Sequence, residues 1–390
     1  MSWGKYKLAD VCNSIADGDH QPPPKADSGI PFVTISNITN NNKFDLTDTM
    51  FVPQEYYDGL DDKKKARIGD ILYSVVGSFG IPVFMNEEQK FVFQRHIAIL
   101  RPDREKIVPE FLFYTMLNRD FYMKADAVAL GAAQRTISLT ALRGIEIEIP
   151  PYKMQEKIVN ILKPFDDIIE NNQKQLKLLE EAAQRLYKEW FVDLRFPGYE
   201  KYDIVDGVPE GWKKEKLVDL CDVQYGYAFD GTLFNNKGNG TPIIRIRNIP
   251  PGITGDYTPE NADDQYRVQN GEIIVGMDGE FHINSWCGET SYLVQRTCCI
   301  RPYDKAIHGW LLWAIRDPIK YFEKTVVGAT VSHLGKKHID TIELLRAPNK
   351  MYEPFDVYFK KRQLLLNQNR KLIEMRDRLL PKLMGGEIVV

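Results

Sequence analysis

Between 158 and 190, apolar residues recur at spacings that alternate four and three: Ile158, Leu162, Phe165, Ile169, Asn172, Leu176, Leu179, Ala183, Leu186 and Trp190. Only Asn172 in that series is polar. Such a heptad seam predicts a long helix, and one running from 155 to 190 spans ~54 Å at about 1.5 Å per residue. Pro164 is expected to kink its first turns or to mark a late start. A second seam runs through Phe355, Phe359, Arg362, Leu366, Asn369, Ile373, Arg376, Leu380 and Leu383, with Pro381 expected to fray its end. Each stretch alone is also consistent with an amphipathic helix packed on its own domain. Two matched seams favour pairing with each other. Asn172 and Asn369 fall at matching positions, a buried Asn fixes register in a coiled coil, and antiparallel helices would bring the two together.

The segments before the two seams repeat one another. W-G-K-Y-K-L-A-D-V-C at 3–12 returns as W-K-K-E-K-L-V-D-L-C at 212–221. G-I-P-F-V-T-I-S-N-I at 29–38 returns as G-T-P-I-I-R-I-R-N-I at 240–249, and G-D-I-L-Y-S-V-V-G-S-F at 69–79 as G-E-I-I-V-G-M-D-G-E-F at 271–281. Q-R-H-I-A-I-L-R-P at 94–102 returns as Q-R-T-C-C-I-R-P at 295–302, and the segments from Gly131 to Pro151 and from Gly328 to Pro348 align without gaps. Matches in the same order with small shifts of register are the mark of a duplicated domain carrying loop insertions. The period far exceeds a solenoid repeat. Within each copy, I-P-F-V-T-I, P-I-I-R-I-R, D-I-L-Y-S-V-V and E-I-I-V-G-M predict short strands, while P-E-F-L-F-Y-T-M-L and H-G-W-L-L-W-A-I predict helices. The expected class is α+β: two similar globular domains with two long helices forming an antiparallel coiled coil, related by a pseudo-twofold internal repeat. The expected boundaries are 1–151, 152–196, 197–348 and 349–390. Such a molecule would act as a calliper, holding two similar surfaces at a fixed distance for a dyad-related target.

Composition changes little in this picture. The 390 residues carry a formal net charge of −3, so any nucleic-acid site must be a local patch rather than a general basic character. No run of eighteen apolar residues occurs, the opening M-S-W-G-K-Y-K-L has no signal-peptide core, and the five cysteines form no C-x-x-C pair. The cytoplasm is the expected compartment.

Three stretches carry a resemblance: Q-E-K-I-V-N-I-L-K-P-F-D-D-I-I-E-N-N at 155–172, L-Y-K-E-W-F-V-D-L-R-F-P-G at 186–198 and G-V-P-E-G-W at 207–212. Together they resemble the specificity (S) subunit of type I restriction-modification systems, and the resemblance covers essentially the whole chain. It implies two target-recognition domains alternating with helical spacers, each domain reading half of a bipartite double-stranded DNA site. It also implies two modification subunits that methylate adenine and restriction subunits that act as motor-nucleases. S-adenosylmethionine, ATP and Mg would sit on those partners, with no cofactor on this chain. Partner contacts are expected near Trp190, Phe191, Arg195 and Phe196, whose aromatic rings are equally consistent with packing at a helix end.

DNA readout needs Arg, Lys, Asn, Gln or His at base edges and basic or hydroxyl groups at phosphates. Residues 127–145 contain no carboxylate and carry Gln134, Arg135, Thr136 and Arg143; the equivalent 324–339 is likewise acid-free and carries His333, Lys336 and Lys337. Both are read either as phosphate-facing loops or as solvated basic loops. Arg245, Arg247 and Asn248 are expected to alternate on one strand, facing DNA or solvent, where the first copy has Thr34, Ser36 and Asn37. Gln94-Arg95 and Gln295-Arg296 recur unchanged, which favours a shared phosphate or structural role. The turns holding Gly77-Ser78-Phe79-Gly80 and Gly279-Glu280-Phe281 would let backbone approach DNA.

Catalytic motifs are absent. Pro102-Asp103-Arg104-Glu105-Lys106 lacks nuclease spacing, and Ile149-Pro150-Pro151-Tyr152 lacks the asparagine of an adenine methyltransferase. No Gly-rich cofactor loop, Walker lysine motif or metal-spaced histidine set occurs. The expected protein is a non-catalytic DNA-specificity subunit. The alternative is a scaffold whose duplicated heads grip two copies of a partner protein without touching DNA.

Overall fold

The computed structural model describes residues 3–39, 42–47, 49–77, 79–131, 135–325, 332–388 and 390. The chain divides into two compact units, residues 1–166 with 374–390, and residues 167–373, so each unit owns a piece of both long helices.

In the first unit an antiparallel sheet runs in the order Cys12–Asp17, Ile97–Pro102, Ile71–Ser74, Pro82–Phe84. The alternation of side chains along its two central strands divides the core. Ile71, Tyr73, Ala98 and Leu100 face the helices, while Leu72, Ile97 and Ile99 face the other way, with Val33, Phe91 and Phe93. A smaller sheet in the order Met50–Val52, Ile30–Val33, Val92–Phe93 supplies that second layer, its last pair parallel.

The second unit repeats this plan. Its central sheet runs Cys221–Tyr225, Thr297–Pro302, Ile273–Gly276, Ile283–Ser285. Ile273, Val275, Cys298 and Ile300 share one core, and Ile274 and Cys299 the other, so the adjacent cysteines are buried on opposite faces and remain free thiols. The small sheet runs Tyr257–Thr258, Thr241–Ile244, Ser291–Leu293, Arg267–Val268, one edge strand more than in the first unit.

The doubled opening of the sequence closes each unit. Gly4–Lys7 pairs with Glu146–Ile149, and Lys213–Lys216 with Glu343–Arg346, the strand just before each long helix. Leu8 and Leu217 then turn inward and are fully buried, their amides donating to Ile145 and Ile342 carbonyls at 3.0 and 2.8 Å. A second shared device is an ion pair across the central sheet. Arg101 Nη2 lies 3.0 Å from Asp70 Oδ2, and Arg301 Nε lies 2.6 Å from Glu272 Oε1. This explains why G-D/G-E and R-P both recur.

The helices at Pro109–Leu117 and His308–Ala314 form where the pattern predicts them. The strands expected through I-P-F-V-T-I and P-I-I-R-I-R stop early, at Val33 and Ile244, and turn into 3-10 segments Ile35–Asn37 and Ile246–Asn248. The cause is local. Asn37 and Asn248 side-chain oxygens each accept the amide three residues back, of Thr34 and Arg245, at 2.8 Å, offering the backbone a turn in place of the ladder.

The first long helix covers Tyr152–Tyr187, 36 residues, and passes into a π-helical turn at Lys188–Val192. It runs through Pro164 instead of starting after it. Pro164 and Asn160, whose carbonyl loses its helical donor, are both exposed, so water can replace that bond. The second covers Glu353–Met384, 32 residues, and contains Pro381. The two segments run antiparallel within each unit. In the second unit Asn172 Nδ2 donates to Asn369 Oδ1 at 2.8 Å, and Glu180 pairs with Arg362. In the first, Ile158 and Leu162 share a core with Leu380 and Leu383, and Arg376 Nη1 lies 2.7 Å from Asp166 Oδ1.

Candidate nucleic-acid interface

Three candidate segments, distant in sequence, lie side by side in each unit. In the first, the Val75 amide donates to the His96 carbonyl at 2.9 Å, beside Arg95. The Gly77 amide donates to the Arg135 carbonyl at 3.0 Å, and Val76 bridges Thr136. In the second, the Met277 amide donates to the Arg296 carbonyl at 2.9 Å, the Gly279 amide to the Ser332 carbonyl at 3.0 Å, and Asp278 bridges His333. Gly77 and Gly279 both adopt left-handed φ, 71° and 69°, which a residue with a side chain reaches only under strain. The glycine turn, the Q-R turn and the acid-poor loop are therefore one cluster per unit.

The side chains on this shared frame differ. Arg95 is exposed and its guanidinium has no ion-pair partner among the described residues. Arg135 Nη2 is 2.7 Å from Asp126 Oδ1, the carboxylate just outside the acid-free stretch. In the second unit His333 Nδ1 is 2.5 Å from Asp278 Oδ1, and Arg296 Nε is 3.5 Å from Asp278 Oδ2. Asp278, being an acid, does not stand out among basic and amide residues. Repeat alignment was the available signal, since it pairs Asp278 with Val76. His338 is held below the usual imidazole range, first by burial and then by Lys337 and His333, and its Nδ1 accepts the Gly335 amide at 3.0 Å. Lys336 and Lys337 are exposed on the short helix Lys336–Ile339.

Other candidates lie elsewhere or are already engaged. Arg143 sits on the helix Leu139–Gly144 and donates to the Ile15 carbonyl at 2.5 Å. Arg245 and Arg247 do not share a strand face, because the strand has already ended. Arg245 lies over the Phe234 ring at 5.4 Å, and Arg247 grips Asp256 through Nη2 and Nε at 2.5 and 3.1 Å. Burial would raise Asp256, but Arg247 and Asn248 outweigh it and hold its carboxyl below the usual range. Asn248 is buried and committed to its turn, which removes it as a base reader. Ser78 and Gln134 lie outside the described residues.

The expected partner surface is corrected in the same way. Phe191 and Phe196 are buried, Phe196 tilted against Trp212 at 4.6 Å between ring centres and Phe191 lying 5.2 Å from the same ring. W-F-V-D-L-R-F-P-G and P-E-G-W therefore build one aromatic core, which leaves neither phenylalanine for a partner. Trp190 is half-buried against Phe355, and Arg195 stays exposed, 3.3 Å from Asp193. Among the described residues no helix is long and apolar enough to cross a membrane, and no group of His, Cys, Asp and Glu is placed to hold a metal.

Comparison with known proteins agrees with this duplicated plan. The family model described as type I restriction modification DNA specificity domain matches residues 1–181 and 209–345. The chain belongs to that family, whose members are the specificity subunits, the non-catalytic components of restriction-modification complexes. The HindI specificity subunit of Haemophilus influenzae is 23% identical, with 99% of each chain covered. The MjaIX specificity subunit of Methanocaldococcus jannaschii is 23% identical over 74% of this chain and 71% of its own. Among solved structures, the type I restriction-modification S subunit from M. genitalium has a similar fold, with a TM-score of 0.56 at 16% identity, covering 98% of this chain and 96% of that one.

Proposed function

We propose that each unit reads one half of a bipartite double-stranded DNA site and that the paired long helices set the gap between the halves. The observation that carries this reading is the loop cluster built twice on one backbone frame with different side chains. A frame that repeats suits the repeating backbone of DNA, and side chains that differ suit two half-sites of different sequence. Arg95, Arg135 and Thr136 serve the first half, and Arg296, His333, Lys336 and Lys337 the second. Family membership favours DNA over the scaffold alternative. In the complex, two modification subunits methylate adenine with S-adenosylmethionine, and restriction subunits cleave with ATP and Mg, this chain supplying only the address. Of the four expected partner residues, Trp190 and Arg195 remain able to meet a partner.

The test is adenine methylation mapped at base resolution in cells carrying this chain with its modification subunit. The expected motif has two parts and a fixed gap, and it disappears when the chain is deleted. Seven residues added to both long helices should widen the gap by about three base pairs, ~10 Å at about 1.5 Å per residue, with both halves unchanged. An altered half-site in place of an altered gap would defeat the spacer role.

A further inference from the structure

We propose that Asp278 and His333 form a base-reading pair in the second unit. Asp278 is the positioning residue, and His333 Nε2 accepts a hydrogen bond from the exocyclic amine of an adenine or cytosine at a major-groove edge. The inference rests on the reading of the second unit as a DNA half-site reader.

An ionised carboxylate only accepts hydrogen bonds, so the ring nitrogen 2.5 Å from Asp278 Oδ1 carries the proton. The other nitrogen of a neutral imidazole is then an acceptor, because the bond at one nitrogen fixes the role of its partner. Arg296 Nη1 lies 3.3 Å from the same Nδ1. Two donors cannot bond each other, so the guanidinium serves the carboxylate, which Nε approaches at 3.5 Å. Arg296 thereby offsets the charge of Asp278, which would otherwise face phosphates bare. It does so from a left-handed φ of 70°, a conformation that a non-glycine residue holds only where its surroundings impose it.

The His333 side chain is 44% exposed, so a ligand can reach the ring. A carboxylate on a DNA-facing loop is unfavourable unless it does something for a neighbour, and orienting a ring is such a task. The amines that a neutral imidazole nitrogen can accept from are adenine N6 and cytosine N4. The first unit has Val76 and Thr136 at these places, so the device belongs to one half-site alone.

The experiment uses the assembled methyltransferase complex. Methylation maps with His333→Ala and Asp278→Asn should each show one motif position, in one half only, losing discrimination from about tenfold to under about threefold. Asp278→Glu should restore part of it. The other half and the gap stay fixed, which shows that the variants fold and assemble. Binding is then measured on duplexes with the amine removed at that position, purine for adenine or a 2-pyrimidinone for cytosine. Wild type should lose about tenfold, and His333→Ala nothing further. A uniform fall in methylation with every position intact would overturn the pair, as would equal amine sensitivity in wild type and variant. A wild-type motif without separate halves sinks the underlying two-part reading instead, and the amine experiment still judges His333.

Discussion

In the first unit, the turn after Ile71–Ser74 sets Val76 opposite Thr136, beside an Arg95 with no ion-pair partner among the described residues. In the second, the same turn sets Asp278 opposite His333, and Arg296 leans on that carboxylate. The backbone bonds that assemble the clusters are matched, Gly77 to Arg135 and Gly279 to Ser332, both 3.0 Å. A frame held by main-chain hydrogen bonds and glycine turns makes no demand on side-chain identity, so the side chains are free to diverge. The same division governs how each unit grips its helices. In the second unit, Arg362 is buried among Glu180, Ser285 and Asn284, with Arg316 on the other Glu180 oxygen at 2.7 Å. In the first, Arg376 reaches Asp166, which also accepts the Tyr114 hydroxyl at 2.6 Å.

The sharpest way to break this comparison is to remove the two arginines. Arg362→Ala removes a buried guanidinium that bonds three groups at once, leaving Glu180 only Arg316, Asn284 Oδ1 only the Ser285 amide and the Ser285 hydroxyl only Gln363, and should cost about 3 kcal/mol. Arg376→Ala leaves Asp166 its Tyr114 bond and should cost about 2 kcal/mol. Denaturant unfolding of the full chain measures both, and equal losses would show that the two grips are equivalent. The pH limb gives an independent reading. Burial raises Glu180, but Arg362 and Arg316 outweigh it, and its carboxyl is held below the usual range. A depressed carboxylate contributes stability that is present above its unfolded value of about 4.3 and is lost as pH falls through the folded one. Arg362→Ala should therefore flatten the acid limb as well as lower the plateau.

Where the frames are the same, the costs should match. A Cβ on Gly18 would lie 2.0 Å from the Phe93 carbonyl oxygen, and on Gly226 2.1 Å from that of Val294. Neither obstacle is a side chain that can swing away. Gly18→Ala and Gly226→Ala should each cost about 2 kcal/mol or more, and by similar amounts. A large difference in the measured midpoints would mean that the units are not framed alike.

The Q-R arginines match in sequence but not in place, since Met277 bonds the Arg296 carbonyl where Val75 bonds that of His96, and they should separate the clusters by kind of effect. Arg95→Ala removes an arginine with no ion pair among the described residues, so binding by the assembled complex should weaken about 3–10-fold on every duplex, with the salt slope falling by about one. Arg296→Ala also exposes Asp278 and should add a loss of base discrimination in one half. Titrations at several salt concentrations on matched and mismatched duplexes check both, and identical profiles would remove the distinction between the clusters.

Much of this plan was legible because it is written twice. The duplication, the strand and helix pairs and the seam through Asn172 and Asn369 all follow from periodicity and repetition. What stayed hidden are the bonds that a side chain makes once the chain has folded, whether its partner is near or far in sequence. Arg247 looks available on a strand until Asp256 appears beside it, and Asn248 looks like a base reader until its turn is seen. Phe191 and Phe196 look like an exposed motif until Trp212 covers them. Asp278 is the reverse case, an acid that does not look like a DNA-contacting residue and yet lies at the centre of the cluster. Composition reports what a side chain is able to bond, and only the fold reports what it has already bonded.

The smallest effect concerns the Asn pair. Asn172→Leu alone leaves Asn369 facing a hydrocarbon and should cost about 1–2 kcal/mol. Changing both to leucine removes the unsatisfied group and should bring stability back to within about 1 kcal/mol of wild type, or above it. The price is register, because the 2.8 Å amide-to-carbonyl bond is met in one alignment of the helices and a leucine pair tolerates others. If the helices set the gap between half-sites, the double variant should methylate sites with more than one spacing at nearly unchanged stability. A single sharp spacing in the methylation map would mean that the charged pairs, Arg362 with Glu180 in one unit and Arg376 with Asp166 in the other, fix the register by themselves.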